Sequence, residues 1–141
     1  MKPRKRYSEN SIYYRIKTSK GLLHRENGPA AIHADGSRGW YRYGQLHRLG
    51  GPAVETGGGY KAWFIKGLRH RDDGPAVISS YKKEWWINGN QHRVDGPAIE
   101  FSNGIIYWCI NGKIFKDKEE WFETLTPEQQ KVMLFSEYFI N

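Results

Sequence analysis

Four His-Arg pairs carry the residue types in this chain that could do chemistry: His24-Arg25, His47-Arg48, His70-Arg71 and His92-Arg93. An imidazole can ligate a metal or move a proton near neutral pH. A guanidinium binds phosphate or carboxylate through its planar fork. Each pair opens nearly the same phrase: "HRENGPAA", "HRLGGPAV", "HRDDGPAV" and "HRVDGPAI". A catalytic site needs one asymmetric constellation, so four equivalent copies argue against an enzyme. An unrepeated, buried, pKa-shifted cluster would be needed to reverse that expectation.

The spacing also weighs against a shared metal. The pairs begin at residues 24, 47, 70 and 92, a period of 23, 23 and 22. If each period is one hairpin, equivalent histidines lie two strands apart, about 9–10 Å. A Zn–N bond is about 2 Å. Cys109 is the single cysteine, so there is no thiol pair for zinc, redox chemistry or an internal disulfide, which fits a reducing, cytoplasmic compartment. Neither metal nor cofactor is expected. The expected role of each repeated His is a ring packed at a turn, with one nitrogen bonded to backbone.

The arginines are less easily dismissed. Arg25, Arg48, Arg71 and Arg93 form a row along the array, and Glu26, Asp72, Asp73 and Asp95 stand close enough in sequence to pair with them internally. "HRLGGPA" lacks such an acid. Arg48 is therefore the first candidate for a free, anion-binding arginine.

The elements that position these residues follow from the repeat. Gly-Pro-Ala recurs from 28, 51, 74 and 96, Trp at 40, 63, 85 and 108, and Gly at 44, 67, 89 and 112. A period of 20–50 residues signals a stacked array. Each unit holds two extended runs, such as "PAIEF" and "IIYWCI", around a turn such as "SNG", a strong hairpin signal. Gly-Pro suits a strand entry, because Gly tolerates unusual φ and the first strand residue can lack an N–H. The one-residue shortening falls in a turn, "SSYKK". The reading is mainly β: tandem hairpins over residues 21–116, joined into one elongated, twisted antiparallel sheet. Ahead of them, residues 1–20 are a basic arm and a degenerate first strand, "SIYYRIK". Residues 117–141 have helical spacing, with Thr126, Pro127 and Gln129 as N-cap, N1 proline and capping box. Trp121, Phe122, Leu125, Val132, Met133, Phe135, Tyr138 and Phe139 offer apolar faces. Such a tail either caps the last hairpin or presents a helix to a partner.

Alternation along the Trp strand puts Trp40, Trp63, Trp85 and Trp108 on one face with Arg42, Ile65, Ile87 and Ile110, the expected core. The opposite side carries Tyr41, Tyr43, Phe64, Lys66, Trp86, Asn88, Tyr107 and Asn111. Aromatics interleaved with Lys and Asn can stack on bases, or they can cover a thin core.

The unit resembles a MORN-type repeat, in the divergent form found in bacterial, phage and giant-virus proteins. "WFIKGLRH" and "WYRYGQLH" match its aromatic, Gly, two residues and His, over residues 21–112. His-Arg stands where that family usually has His-Gly, and Trp to Gly is one residue longer. The resemblance implies a binding scaffold without catalysis of its own. It further implies a small viral factor that acts in a host cytoplasm, by blocking a defence protein or sequestering a nucleotide.

Charge narrows the partner. The net charge is +7, with +6 in residues 1–20, +5 in 21–116 and −4 in 117–141. A basic body favours an anionic ligand, a nucleotide or nucleic acid, or an acidic host protein; a plain solubility role is the alternative. Other readings are a scaffold with no small ligand, and a general nucleic-acid binder using "KPRKR" with strong salt dependence. No apolar run approaches the roughly 18 residues of a membrane span, and no apolar stretch follows the basic N-terminus to make a secretory signal. An open edge at the N-terminal hairpin would let a second copy pair there.

Overall fold

The computed structural model describes residues 2–16, 18 and 20–136. In chain order its strands are β1 (Arg4–Ser8), β2 (Ser11–Arg15), β3 (Ala31–Ile32), β4 (Arg38–Gly39), β5 (Tyr41–Arg42), β6 (Gln45–Leu46), β7 (Val54–Glu55), β8 (Lys61–Ala62) and β9 (Phe64–Ile65). They continue as β10 (Leu68–Arg69), β11 (Val77–Ile78), β12 (Lys82–Glu84), β13 (Trp86–Ile87), β14 (Asn90–Gln91), β15 (Ile99–Phe101), β16 (Ile106–Ile110) and β17 (Lys113–Phe115). Two helices follow, α1 (Lys118–Glu123) and α2 (Pro127–Met133).

The fold is mainly β. Eleven strands form one antiparallel sheet in the order β1-β2-β3-β4-β7-β8-β11-β12-β15-β16-β17. Three small hairpins, β5–β6, β9–β10 and β13–β14, stand beside it. Each full unit is thus two hairpins rather than the single one that the sequence suggests. The corner between them is the repeated Trp. Trp40 N–H donates to Ala53 O in the sheet (2.8 Å), while Trp40 O accepts from His47 N–H across the small hairpin (2.9 Å). Trp63 and Trp85 repeat both bonds.

The small hairpins close through two-residue turns in which both residues have positive φ: Tyr43 and Gly44 (48° and 82°), Lys66 and Gly67 (48° and 79°), Asn88 and Gly89 (47° and 80°). This is the primed turn whose twist matches the strands it joins. It explains the invariant Gly four residues after each Trp.

The fully buried row is alanine. Ala30, Ala53, Ala76 and Ala98 are each 0% exposed. Trp40 and Trp108 are buried, but Trp63, Trp85, Ile65, Ile87 and Ile110 are only half-buried and Arg42 is exposed. The expected Trp core face is therefore in large part the lining of a groove.

Both ends are finished differently. The basic N-terminus is a strand, not a loose arm: β1 pairs with β2 and is exposed throughout. Its Arg4, Lys5 and Arg6 place charge on an open sheet edge, which discourages edge-to-edge pairing. Tyr14 takes the Trp position of a degenerate unit, since its carbonyl accepts from His24 N–H at 2.9 Å. At the other end Asp117 caps α1 and the capping box of Thr126 and Gln129 starts α2. Trp121, Leu125 and Met133 join Trp108 and Phe115 in one buried cluster. The segment is a cap packed on the last unit. Val132 and Phe135, expected on its apolar face, are 67% and 76% exposed. Tyr138 and Phe139 lie outside the described residues.

Candidate binding groove

Each His-Arg pair links one unit to the next. The small hairpin of the following unit brings its turn N–H to the histidine: Tyr43 donates to His24 Nδ1 (3.1 Å), Lys66 to His47 (3.0 Å), Asn88 to His70 (3.1 Å) and Asn111 to His92 (3.2 Å). Nδ1 therefore accepts, and the proton of the neutral ring sits on Nε2. His70 Nε2 faces Asp72 at 3.2 Å. Each repeated His ties backbone at a turn, as the sequence suggests. For His47, burial first, then the nearby Arg42 and Lys66 charges, hold the imidazole pKa below its usual 6.5. Among the described residues no group of three His, Cys, Asp or Glu side chains could hold a metal ion.

Each arginine is built into the frame too. Arg48 lies over the Trp40 ring (3.9 Å), Arg71 over Trp63 (4.1 Å) and Arg93 over Trp85 (3.8 Å). Arg25 lies over Tyr14 (4.0 Å). All four donate through Nη1 to the carbonyl of the proline in their own Gly-Pro-Ala, at 3.0–3.2 Å. The Gly before that proline makes room for them. A Cβ at Gly96 would sit 2.7 Å from Arg93 Cζ, and one at Gly51 2.9 Å from Arg48 Cζ. At Gly51, Gly74 and Gly96 the requirement is this close approach, not the unusual φ expected from sequence.

The acid pairing corrects one expectation. Arg48 is not free: Glu55, seven residues on in β7, reaches it at 3.4 Å. The partner comes from the strand after Gly-Pro-Ala, not from the loop where an acid is missing. Arg71 pairs with Asp73 (2.8 Å), and Arg93 with both Asp95 (2.7 Å) and Glu100 (2.9 Å). The Arg71 hydrogen bond holds the Asp73 carboxyl below the usual range. Arg25 is the exception: Asn27 and Ile32 stand where the other units have their acids. No carboxylate lies within ion-pair distance of Arg25 or Arg42 among the described residues.

The supposed stacking face also changes. Tyr43, Lys66 and Asn88 are exposed turn residues, not strand residues. Tyr41, Phe64 and Trp86 do recur along one row. However, Arg69 stands between two of them, its Cζ 5.6 Å from the Phe64 ring centroid and 5.2 Å from Trp86. Tyr107 precedes Trp108 and is not in that row. Cys109 takes the place instead, fully buried, and its burial raises the thiol pKa.

What remains open is a groove between successive His-Arg loops, floored by the Trp edge. Its first segment, about 430 Å³, is lined by Arg25, Glu26, Trp40, Arg42, His47 and Arg48. The second, about 760 Å³, holds Arg48, Leu49, Trp63, Ile65, His70 and Arg71. The third, about 510 Å³, holds Arg71, Asp72, Trp85, Ile87, His92 and Arg93. The fourth position in the series is occupied by the chain itself. Trp121 packs on Trp108 at 4.5 Å between ring centroids and donates Nε1–H to Arg93 O at 3.2 Å. Leu49 and Trp121 carry no repeat signal and Glu55 recurs only as Glu100, so the sequence does not single them out as site residues. Arg42 was visible only as the polar exception among Ile65, Ile87 and Ile110.

No helix among the described residues is long and apolar enough to cross a membrane. Comparison with known proteins gives no matching family, no matching curated protein and no matching solved structure for this chain.

Proposed function

We propose that the chain is a non-catalytic, MORN-like binding scaffold whose basic first groove segment takes an acidic protein partner. The observation that carries this is the charge left over once the frame is satisfied. Arg71 and Arg93 are matched by neighbouring carboxylates and Arg48 by Glu55. Arg25 and Arg42 line one cavity beside Trp40 with only Glu26 as an acid there, and β1 adds Arg4, Lys5 and Arg6 at the adjoining end of the sheet. Unmatched guanidinium groups in an open groove attract carboxylates and raise the association rate. An acidic protein surface is favoured over a nucleotide or nucleic acid because Arg69 stands between Phe64 and Trp86, where a base would need to stack. The likeness of the unit to repeats in phage and giant-virus proteins extends the proposal to a host protein, a defence component among them, as the partner.

The test is the double reversal Arg25→Glu with Arg42→Glu, titrated against a labelled poly-glutamate peptide at low salt. Binding should weaken at least tenfold, and Arg25→Gln with Arg42→Gln, which loses the same Arg25 contacts to Pro29 O and Tyr14, controls for the accompanying loss of stability. Unchanged affinity refutes the reading. Tighter binding of a single-stranded oligonucleotide than of the peptide, lost in the same variant, would move the proposal to nucleic acid.

A further inference from the structure

The array contains one groove segment with its occupant in place, and that occupant shows what an empty segment fits. At the fourth position Trp121 of α1 is buried against Val94, Trp108, Ile110 and Phe115, with its indole N–H on Arg93 O. The positions that form this seat recur in every unit: the residue after His-Arg, the Trp, the residue two after the Trp, and the Arg carbonyl. In the first segment they are Glu26, Trp40 and Arg42; in the third, Asp72, Trp85 and Ile87. Glu26 and Asp72 put a carboxylate at the place of Val94, and a carboxylate repels the negative face of an indole. In the second segment they are Leu49, Trp63 and Ile65. Only that set repeats the apolar side chains of Val94, Trp108 and Ile110, with His70 standing where the filled seat has Phe115, and its carbonyl is that of Arg48.

Two further facts mark the second segment. It is the largest of the three, about 760 Å³. Leu49 is 71% exposed, an uncovered large aliphatic at the place where Val94 is covered by Trp121. The surroundings set the charge of what covers it. Asp72 and Asp73 also line this segment, on its far wall, where His70 and Arg71 hold them; the unmatched charge lies on the near wall. Arg25 and Arg42 lie in the adjoining segment, which shares Arg48 and Leu49 as its wall. In the filled seat the helix that brings Trp121 is itself acidic, with Glu119 and Glu120 in its first turn, and Glu120 stands 4.0 Å from Lys113.

We infer that the Leu49–Trp63–Ile65 segment is a docking seat for an acidic helical segment of a partner protein that inserts a tryptophan, as α1 does at the end of the array. This rests on the binding-scaffold reading and names the partner's chemistry. The indole lies against Trp63 beside the Arg71 guanidinium that already covers one face of that ring, its N–H on Arg48 O, and acidic residues flank it toward Arg25 and Arg42.

The experiment uses the full chain and, as probe, a labelled synthetic peptide of residues 116–134, read by fluorescence anisotropy. Saturable one-to-one binding is expected. It should fall at least tenfold when the peptide carries Trp121→Ala, and at least tenfold when the protein carries Leu49→Asp. Leu49 is exposed, so that variant should keep its thermal midpoint. The proposal is overturned if no saturable binding occurs up to 1 mM. It is overturned equally if Leu49→Asp leaves the affinity unchanged, since the peptide is then exchanging into the fourth seat. Self-association at micromolar protein without peptide, abolished by Leu49→Asp, makes a second copy the occupant and also overturns it. Arg25→Glu with Arg42→Glu separates the two readings. If that variant binds the peptide normally while Leu49→Asp does not, the basic-segment reading fails and the aromatic seat stands.

Discussion

Trp121→Ala should unfold this protein from one end. The side chain is 0% exposed, stacked on Trp108 and hydrogen-bonded to Arg93 O. Truncating a buried Trp costs about 3–5 kcal/mol in transfer and cavity terms. The freed Arg93 carbonyl adds a further penalty, but the seat lies at the end of the array and water can reach it. A loss of about 4 kcal/mol is expected, close to a thousandfold in the local opening constant. Because units touch only their neighbours, the loss should stay near the damaged end. Native-state hydrogen exchange is the assay. Amides of β16 and β17 should lose protection by about three orders of magnitude, while those of Trp40 and Ala53, which lie in the sheet ladder far from the cap, should be unchanged under mild conditions. Urea unfolding followed by Trp fluorescence should show a broadened or biphasic transition. A loss below about 1 kcal/mol would refute the burial argument, and uniform loss of protection would refute the nearest-neighbour one.

Acid should destabilise the second unit interface. His47 is held below 6.5 when folded, so the unfolded chain takes up the proton more readily, and stability is complete above pH 6.5 and declines as pH falls through it. The thermal midpoint should drop between pH 7 and 5, and His47→Phe should remove part of that slope. Gly96→Ala should cost about 1–3 kcal/mol, because a methyl at 2.7 Å must push Arg93 out of its place between Trp85 and the Pro97 carbonyl; urea midpoints measure it, and a neutral result would mean the guanidinium moves freely. Glu55→Gln should tighten binding of an acidic probe about two- to fivefold, since the half-exposed Arg48 pair is weak, while leaving the thermal midpoint nearly unchanged.

Much of the fold could be read from the sequence because the repeat states its rules four times. The sheet hairpins, the degenerate strand within "SIYYRIK" and the capping box at Thr126 all follow from local turn and cap chemistry. The small hairpins were harder. Gly44, Gly67 and Gly89 mark their turns, but Tyr43 and Lys66 precede two of them, and neither residue advertises positive φ as Asn88 does. The Arg48 partner was illegible for another reason. Local sequence places an acid two residues after Arg71 and Arg93, whereas Glu55 arrives through the sheet, seven residues on. Arg93 repeats that spacing with Glu100, but Ile32 and Ile78 interrupt it in the other two copies, so the pairing does not stand out against acids adjacent in sequence.

That asymmetry bears on where function lies. The invariant residues of the unit are consumed by the frame: His by the next turn N–H, Arg by a proline carbonyl and an aromatic ring, Gly by the space Arg needs, Trp by two backbone bonds at the corner. None is left over as a common ligand. The positions that vary are the ones that face the groove: Glu26, Leu49, Asp72 and Val94 after the His-Arg pairs, and Arg42, Ile65, Ile87 and Ile110 beyond the tryptophans. Along the chain these positions present Glu26 and Arg42, then Leu49 and Ile65, then Asp72 and Ile87, and last Val94 and Ile110 in the filled seat. A repeated frame with such a varied lining can read a partner along its length. The specificity of this protein should therefore follow the unrepeated residues and, of the motif that makes the chain conspicuous, only Arg25, which lacks the acid of its counterparts. Swapping Leu49 with Glu26, which leaves every frame residue untouched, should move the preferred site of a Trp-bearing peptide by one segment, toward Trp40. Crosslinking from the peptide would locate it, and an unmoved crosslink would return the function to the motif.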